Sequence, residues 1–315
     1  MAEPRPNPVP AGRTARRLAW EFLPRHIRDL VEQRCGSPVV STESQGGGFT
    51  PGFASVLTCA DGTRHFVKAA SVVAQATFAD SYRQEARKLA ALPSGVPAPR
   101  LLWSHDDDWV VLGLEHVEGR LPRRPWRTAE LERCLAAVEE TARVLTPAPP
   151  TLALDTFATE FAPFEGMWAS LRAEGWDLPH HDEAAALASR FAEVTAGDTL
   201  VHTDIRDDNL ILGDADQVWI CDWNWPVAGA AWLDTVFLLL APRGDGLDVE
   251  SLLAGLPLTR DVPPESVDVV LALVAGYFLR QGEQPTRPTS PYLRDHQRWM
   301  GAVTWDWLCE RRGWS

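Results

Sequence analysis

The pattern of apolar and polar positions divides the chain into a strand-rich first part and a helix-rich second part. Apolar residues at helical spacing predict a helix over residues 18–31. Short β-like runs separated by turn residues follow, and a second helix is predicted over residues 72–92, before Pro93. The predicted strands cover residues 39–44, 54–59, 65–69, 100–104 and 109–115. The first part is therefore expected to be an antiparallel sheet with one inserted helix.

The pattern becomes helical after Gly119, where the segment GRLPRRPWR combines turn residues with charges. Short apolar runs interrupt the helical pattern and predict strands beside a polar loop. The predicted helices cover residues 129–145, 157–174, 183–196, 267–279 and 293–311, and the strands cover residues 200–202, 210–212 and 218–221. We therefore expect an α+β protein with two lobes, residues 17–118 and residues 119–315.

The composition is that of an ordinary globular protein in which acidic residues outnumber basic ones. Of 315 residues, 45% are hydrophobic and 23% are charged, and the formal net charge is −13. Nucleic-acid phosphates are bound through clustered Lys and Arg, so this charge disfavours a nucleic-acid partner. The length is sufficient for a core in each of two lobes.

The N-terminus and the cysteines predict a cytoplasmic protein. Residues 1–16 contain Pro, Arg and Gly without the apolar segment of a signal peptide, so we expect a disordered tail. No stretch of about 20 apolar residues is present to span a membrane. The five cysteines are odd in number and scattered, with no CxxC or Cys/His pairing at metal-ligand spacing, which predicts reduced, mostly buried thiols.

The strongest chemical signal is the run from His202 to Asn209, followed thirteen residues later by Asp222. Asp204 and Asn209 are five residues apart, and Asp222 ends an adjacent predicted hairpin. Such a set can be brought around one magnesium-bound triphosphate. In phosphoryl transfer one carboxylate accepts the proton of the attacking hydroxyl, while an Asn and a second carboxylate hold the metal. We assign Asp204 as the base and Asn209 and Asp222 as ligands of Mg2+.

These residues resemble the catalytic loop of the aminoglycoside phosphotransferases and their kinase-like relatives, H-x-D-x-x-x-x-N followed by a metal-binding Asp. The resemblance implies a bilobal protein-kinase-like fold, with an antiparallel sheet and one helix in the N-terminal lobe and a mostly helical C-terminal lobe. It implies ATP as the phosphate donor, with GTP left open, and Mg2+ as the metal. His202 belongs to the catalytic set in a supporting role, as a packed histidine that braces the loop.

The resemblance extends to the first lobe. In the family a glycine-rich hairpin covers the phosphates, a strand lysine paired with a helix glutamate binds them, and the interlobe hinge offers main-chain groups to adenine. The corresponding residues are Gly46, Gly47, Gly48, Thr50, Lys68, Glu85, Glu115 and Val117. Phe49 and Pro51 depart from the common loop pattern, and the residues after Asp222 are not the DFG of a protein kinase.

Other polar residues near the motif have structural interpretations. Asp207 and Asp208 are expected to be solvated loop acids. Asp234 resembles the helix-start aspartate of the family and is expected to brace the catalytic-loop backbone. Arg206 contacts either phosphate or a neighbouring carboxylate, and the sequence does not decide between them.

The acceptor is expected to be a hydroxyl group of a small molecule. An aminoglycoside or related antibiotic is one candidate, since Asp295, Asp306 and Glu310 would bind amines if they faced the cleft, as carboxylates do in the resembled family. A metabolite such as choline, homoserine or a sugar is the alternative, and a non-catalytic nucleotide-binding pseudokinase is the alternative from another class. The many Trp residues suit stacking on a substrate but at helical spacing are more often core. A monomer or a homodimer is expected.

Overall fold

The computed structural model describes residues 4–12 and 14–314, and it confirms the two-lobed α+β architecture. The first lobe contains an antiparallel five-stranded sheet in the order β1-β2-β3-β5-β4. Its strands are β1 (Val39–Ser44), β2 (Phe53–Cys59), β3 (Arg64–Ser71), β4 (Leu101–Asp106) and β5 (Trp109–Glu115). All five strands occupy the predicted regions, because turn residues separate the apolar runs.

One face of the sheet is covered by α1 (Arg25–Cys35), which buries Ile27 and Val31 completely. The predicted helix over residues 18–31 begins later than expected because Pro24 stands before its first turn, and a short 3-10 turn precedes it. The helix ends at Gly36, whose φ of 81° is a left-handed conformation that favours glycine.

The other side of the first lobe contains α2 (Ala76–Ala91), the inserted helix between β3 and β4. It buries Ala79, Tyr82, Glu85 and Leu89, which recur every three or four residues and so form one face. A buried glutamate in this apolar row requires a partner, because an unpaired charge is costly to remove from water.

The second lobe is mostly helical and is built around α11, which packs against α6, α7 and α12. The middle of α11 is buried from Val267 to Gly276 and is apolar on every side except at Asp268, which pairs with Arg311, as expected for a helix at the centre of a lobe. The helices are α3 (Thr128–Val144), α4 (Phe157–Glu160), α5 (Ala162–Glu165), α6 (Met167–Ala173), α7 (His181–Ala188), α8 (Phe191–Val194), α9 (Leu233–Gly244), α10 (Val249–Gly255), α11 (Pro264–Gly282) and α12 (Leu293–Arg312).

Two small antiparallel pairs of strands position the polar loop of the second lobe. The pair β6 (Thr199–Val201) and β9 (Val227–Gly229) lies before and after the loop, and β7 (Leu210–Leu212) pairs with β8 (Val218–Ile220). The sequence predicted β6, β7 and β8. It did not predict β9, since three residues contain too little periodicity to identify a strand.

Two predicted helices are interrupted. The region 157–174 forms three short helices, with Phe161 and Gly166 at the junctions and Pro163 in the first turn of the second one. The region 183–196 forms α7 and α8, which are separated at Ser189 and Arg190. Apolar periodicity continues across these junctions, so it does not show where the backbone turns.

The N-terminal segment differs from the expected disordered tail. Its described residues form no helix or strand, yet Val9 and Thr14 are buried. The Arg5 N–H donates to Gly244 O at 2.8 Å, and the Arg16 N–H donates to Thr289 O at 2.8 Å. Main-chain hydrogen bonds therefore fix a segment that has no regular structure. Residues 1–3 and 13, which the same prediction covered, lie outside the described residues.

Across residues 4–12 and 14–314, no helix combines the length and apolar character needed to cross a membrane. All five cysteines are free thiols, and Cys59 and Cys134 are buried.

Candidate functional site

The catalytic-loop backbone is fixed by Asp234 at the start of α9. Its two carboxylate oxygens accept hydrogen bonds from the His202 N–H at 2.7 Å and from the Thr203 N–H at 2.8 Å. Thr203 has a φ of 67°, a left-handed conformation that is costly for a β-branched residue. The buried carboxylate therefore stabilises a turn that the chain would not adopt unaided, and this turn projects Asp204 from the end of β6.

His202 connects the catalytic loop to the strand that precedes Asp222. The ring is buried, its Nε2 lies 2.9 Å from Cys221 O, and its Nδ1 lies 3.2 Å from the main-chain N of Asp204. The carbonyl accepts and the amide donates, so the ring is neutral with its proton on Nε2. Burial lowers the pKa of His202, in agreement with this neutral form. Both ring nitrogens bind main chain, so His202 holds the loop and has no nitrogen left for a substrate proton.

Asp204 lies at the open side of the loop with its side chain 35% exposed. Its Oδ1 is 3.0 Å from Arg206 Nε, and its Oδ2 accepts a hydrogen bond from Asn209 Nδ2 at 3.0 Å. Burial in the loop raises the pKa of Asp204 to about 6, although Arg206 opposes this shift. A carboxylate with a pKa near neutrality that is still reachable from solvent is suited to accept a proton.

Asn209 and Asp222 each retain an oxygen that suits a hard cation. Asn209 Nδ2 donates to Asp204 O at 2.8 Å, which leaves its carbonyl Oδ1 as the free end of the amide. Asp222 Oδ1 accepts hydrogen bonds from Lys68 Nζ and from Asn224 Nδ2, each at 2.7 Å, and its Oδ2 has no donor within the described structure. Amide and carboxylate oxygens are ligands that Mg2+ prefers, so the two residues fit this ion.

Lys68 joins three parts of the chain that are far apart in sequence. Its Nζ donates to both Glu85 carboxylate oxygens, at 2.7 and 2.8 Å, and to Asp222 Oδ1 at 2.7 Å. Burial opposes the charged amine, but the carboxylates of Asp222 and Glu85 outweigh it and raise the pKa of Lys68 above its usual range. The structure therefore places a charged lysine at the predicted position on β3, held by the predicted glutamate of α2.

The glycine-rich loop lies between β1 and β2 and is held from two sides. Thr14 Oγ1 donates to Gly46 O at 3.2 Å, and Arg17 donates to Gly47 O at 2.6 Å. From the second lobe, Ser290 Oγ donates to Phe49 O at 2.5 Å. The Phe49 ring packs on His296, with 5.0 Å between centroids. The loop therefore contacts the N-terminal segment and the second lobe at once.

A cleft of about 540 Å3 lies between the loop, the sheet and the second lobe. All ten residues predicted to bind nucleotide or metal line it, whereas Asp204 and His202 are not among its lining residues. These ten are Gly46, Gly47, Gly48, Thr50, Lys68, Glu85, Glu115, Val117, Asn209 and Asp222. The apolar part of the lining, which the sequence did not identify, includes Ala54, Val56, Phe66, Leu114 and Ile211. This size and mixed lining are typical of a small-ligand site.

At the hinge the two lobes approach closely. A Cβ added at Gly119 would lie 2.6 Å from both Ile211 Cγ2 and Leu212 O, so the backbone contact requires glycine there. The Glu115 carboxylate is bound by Arg100, with Oε2 2.9 Å from Nε. A contact between the hinge and the base of a nucleotide would therefore come from main-chain groups of the hinge.

Two sequence expectations in the catalytic loop are wrong. Asp207 and Asp208 were expected to be solvated, but their side chains are only 10% and 9% exposed. Asp207 forms an ion pair with Arg124, and Asp208 Oδ1 lies 3.3 Å from Arg206 Nε. Arg206 thus pairs with carboxylates on both sides of it. No sequence pattern indicates that Asp207 is paired, because its partner Arg124 is 83 residues away in the chain.

The fold is that of solved small-molecule kinases. The chain matches spectinomycin phosphotransferase, solved with ADP and spectinomycin, at a TM-score of 0.62 and 10% identity, over 89% of this chain and 97% of that one. It matches choline kinase from Streptococcus pneumoniae at 0.56 and 15% identity, over 88% and 99% of the two chains. It matches a macrolide 2'-phosphotransferase from Brachybacterium faecium at 0.54 and 16% identity, over 89% and 97%. No family model matches the sequence, and no curated protein matches it significantly.

Proposed function

We propose that the chain is a phosphotransferase that moves the γ-phosphate of ATP, with Mg2+, to a hydroxyl group of a small molecule. The observation that supports this most directly is the convergence of Lys68, Asn209 and Asp222 on one cleft, with Asp204 hydrogen-bonded to Asn209. Positioned charges of this kind are what phosphoryl transfer requires of a protein.

The residues have separate tasks in the proposed reaction. The acceptor O–H bond breaks as Asp204 takes the proton, the acceptor oxygen forms a bond to the γ-phosphorus, and the bond between that phosphorus and the β–γ bridging oxygen breaks to release ADP. Lys68 binds phosphate oxygens as a fixed positive charge. Asn209 and Asp222 would hold Mg2+, which neutralises charge on the phosphates when bound.

The acidic residues that would favour a polycationic acceptor are already paired. Asp295 lies 3.0 Å from Arg298, Asp306 lies 2.5 Å from Arg5, and Glu310 pairs with Arg243. These pairs remove the argument that favoured an aminoglycoside over another hydroxyl compound. The proposed acceptor is therefore a small hydroxylated molecule without a required charge.

An exposed aromatic surface beside the catalytic loop is a candidate contact for this acceptor. The side chain of Trp225 is 53% exposed, whereas the other large Trp side chains of the second lobe, such as Trp168 and Trp307, are core. Its carbonyl accepts a hydrogen bond from Thr203 Oγ1 at 2.9 Å, which fixes it next to Asp204. An exposed indole there suits stacking on a ring of the substrate.

A coupled assay of ADP release tests the proposal. Purified protein is mixed with ATP, Mg2+ and a library that contains aminoglycosides, macrolides, choline, homoserine and sugars. We expect acceptor-dependent ADP release with at least one class. Binding of ATP without ADP release for any compound would reject the proposal and favour the pseudokinase alternative.

A further inference from the structure

Arg17 is a cation of the nucleotide cleft that the sequence did not identify. It follows the N-terminal segment, and its side chain lines the cleft. Its Nη1 donates to Thr50 O at 2.7 Å and its Nη2 to Gly47 O at 2.6 Å. The guanidinium is therefore attached to the glycine-rich loop itself and moves with it.

Arg17 differs from the other lysine and arginine side chains that line the cleft, because those have carboxylate partners. The pairs are Lys68 with Glu85 and Asp222, Arg64 with Glu118, and Arg120 with Glu130. Within residues 4–12 and 14–314, no carboxylate oxygen lies within 4.0 Å of a guanidinium nitrogen of Arg17. One formal positive charge of the cleft is therefore left without a counter-ion.

The hydrogen bonds of Arg17 are also incomplete. The two carbonyl contacts use two of the five N–H hydrogens of the guanidinium, and its Nε is buried without a partner. A partly buried cation with unused donors is unfavourable unless an anion completes its contacts. Planar guanidinium donors fit phosphate oxygens in pairs.

The guanidinium of Arg17 lies at one end of the cleft. A Cβ added at Gly48 would lie 3.5 Å from Arg17 Nη2 and 4.0 Å from Asp208 Oδ2. The guanidinium is thus at the glycine-rich loop near Asp208, the residue before Asn209 in the catalytic loop, and at the opposite end of β3 from the hinge at Glu115. A nucleotide with its base at the hinge would place its terminal phosphates near the catalytic loop.

We propose that Arg17 binds the terminal phosphates of the nucleotide from the glycine-rich loop, while Lys68 binds phosphate from the sheet. This inference rests on the proposed function. It assigns a phosphate-binding role to a residue outside the catalytic motifs, which lies between the N-terminal segment and the first helix.

Isothermal titration of Arg17→Gln with Mg2+ and ATP, ADP or adenosine tests the proposal. Loss of a charge-assisted contact is expected to weaken ATP binding about 10- to 100-fold and ADP binding less, with adenosine unchanged. Arg17→Lys keeps the charge and is expected to recover part of the ATP affinity. Arg16→Gln is the matched control, because Arg16 is exposed and contacts Thr289 through its main chain.

The outcomes distinguish phosphate binding by Arg17 from a role of Arg17 in holding the glycine-rich loop. If Arg17→Gln weakens ATP and adenosine equally, Arg17 only holds the loop and the proposal is overturned. Unchanged ATP affinity overturns it as well. If the unaltered protein binds no nucleotide, the proposed function fails and this inference fails with it, which is distinct from a defect confined to the variant.

Discussion

At the scale of single residues, the proposed reaction depends on the partly exposed carboxylate of Asp204. Its two oxygens contact Arg206 and Asn209, which orient it without covering it. Its contacts within the loop depend on Asp234 and His202, neither of which has an atom available to the acceptor. The loop therefore contains one group for proton transfer and several that position it.

Replacing Asp204 by Asn tests this division of tasks. Asp204→Asn keeps the shape of the side chain and removes its basicity, so we expect kcat to fall about 10²- to 10⁴-fold with ATP affinity retained. Steady-state kinetics and nucleotide titration measure the two effects. Asp216→Asn, at an exposed turn position, is the matched control. Turnover equal to that of the unaltered protein would remove Asp204 from the mechanism.

His296 makes stability depend on pH. Burial lowers its pKa to about 3, and its Nδ1 is buried without a partner. Arg206, Asp208 and Arg124 are the charged groups that act on it, and the two arginines also disfavour its protonation. Below about pH 6.5 the unfolded chain binds a proton that the folded chain does not bind. The free energy of unfolding therefore decreases as the pH falls from about 6.5 towards 3.

Urea unfolding between pH 7 and pH 4 measures this effect. His296→Gln is expected to reduce the pH slope by up to about 1.4 kcal/mol per pH unit, because one proton is removed from the difference between the two states. His26→Gln, at an exposed ion pair with Asp108, is the control. Identical slopes for the protein and both variants would show that His296 binds its proton in the folded state.

At the scale of elements, the glycine-rich loop is joined to the second lobe by Phe49. Its ring packs on His296, and the guanidinium of Arg206 lies 5.4 Å from the ring centroid. Such aromatic and cation–π contacts contribute about 1–2 kcal/mol together. The loop therefore has a specific closed position above the catalytic loop.

Phe49→Ala is expected to release the loop. We expect faster amide hydrogen exchange in residues 46–52, with the sheet unchanged, because the contacts to His296 and Arg206 are lost. Phe22→Ala, at a side chain that is 71% exposed, is the control. Exchange in residues 46–52 that stays at the original rate would show that other contacts hold the loop.

The sequence was sufficient for elements whose signal is local. The five strands and α2 have apolar runs or periodicity with turn residues at their ends, so their regions were predictable. The junctions between the short helices of residues 157–174 were not predictable. The helices end at Phe161 and Gly166, although the apolar pattern continues across both residues. The family motif identified Lys68 and Glu85, whose contact the structure shows directly.

Contacts between distant parts of the chain were the part that the sequence did not contain. Arg17 is 30 residues from Gly47 and Asp207 is 83 residues from Arg124, and no motif links them. The burial of Asp207 was misjudged for the same reason, whereas the arginine beside Asp208 is its near neighbour Arg206. Asp207 and Asp208 resemble loop acids until their arginine partners are known.

At the scale of the whole molecule, the N-terminal segment connects the two lobes. Thr14 binds the glycine-rich loop of the first lobe. Arg5 binds Gly244 of the second lobe through its N–H, and its carbonyl accepts a hydrogen bond from Trp299 Nε1 at 3.0 Å. Val9 lies buried between these contacts.

Removal of residues 1–12 tests this connection and leaves Thr14 and Arg17 in place. Loss of the buried Val9 and of the Arg5 hydrogen bonds is expected to cost about 2 kcal/mol. For a chain of 315 residues that corresponds to a fall in Tm of about 3 °C. Calorimetry measures it, and Val9→Ser in the full chain is expected to give a smaller fall. A truncated protein with unaltered Tm would show that these contacts contribute nothing to folding.

The bond between Lys68 and Asp222 has a consequence for ligand affinity. Lys68 belongs to the sheet of the first lobe and Asp222 to the loop after β8, so one ion pair crosses the interlobe boundary. In the proposed function, a triphosphate that entered with a cation would compete with this pair, since it would offer the Lys68 ammonium other oxygens while the cation would attract the Asp222 carboxylate. When a phosphate oxygen replaced Asp222 as the partner of Lys68, the ammonium would exchange one anion for another and gain little. Affinity should accordingly be weaker than the number of contacts in the complex would suggest.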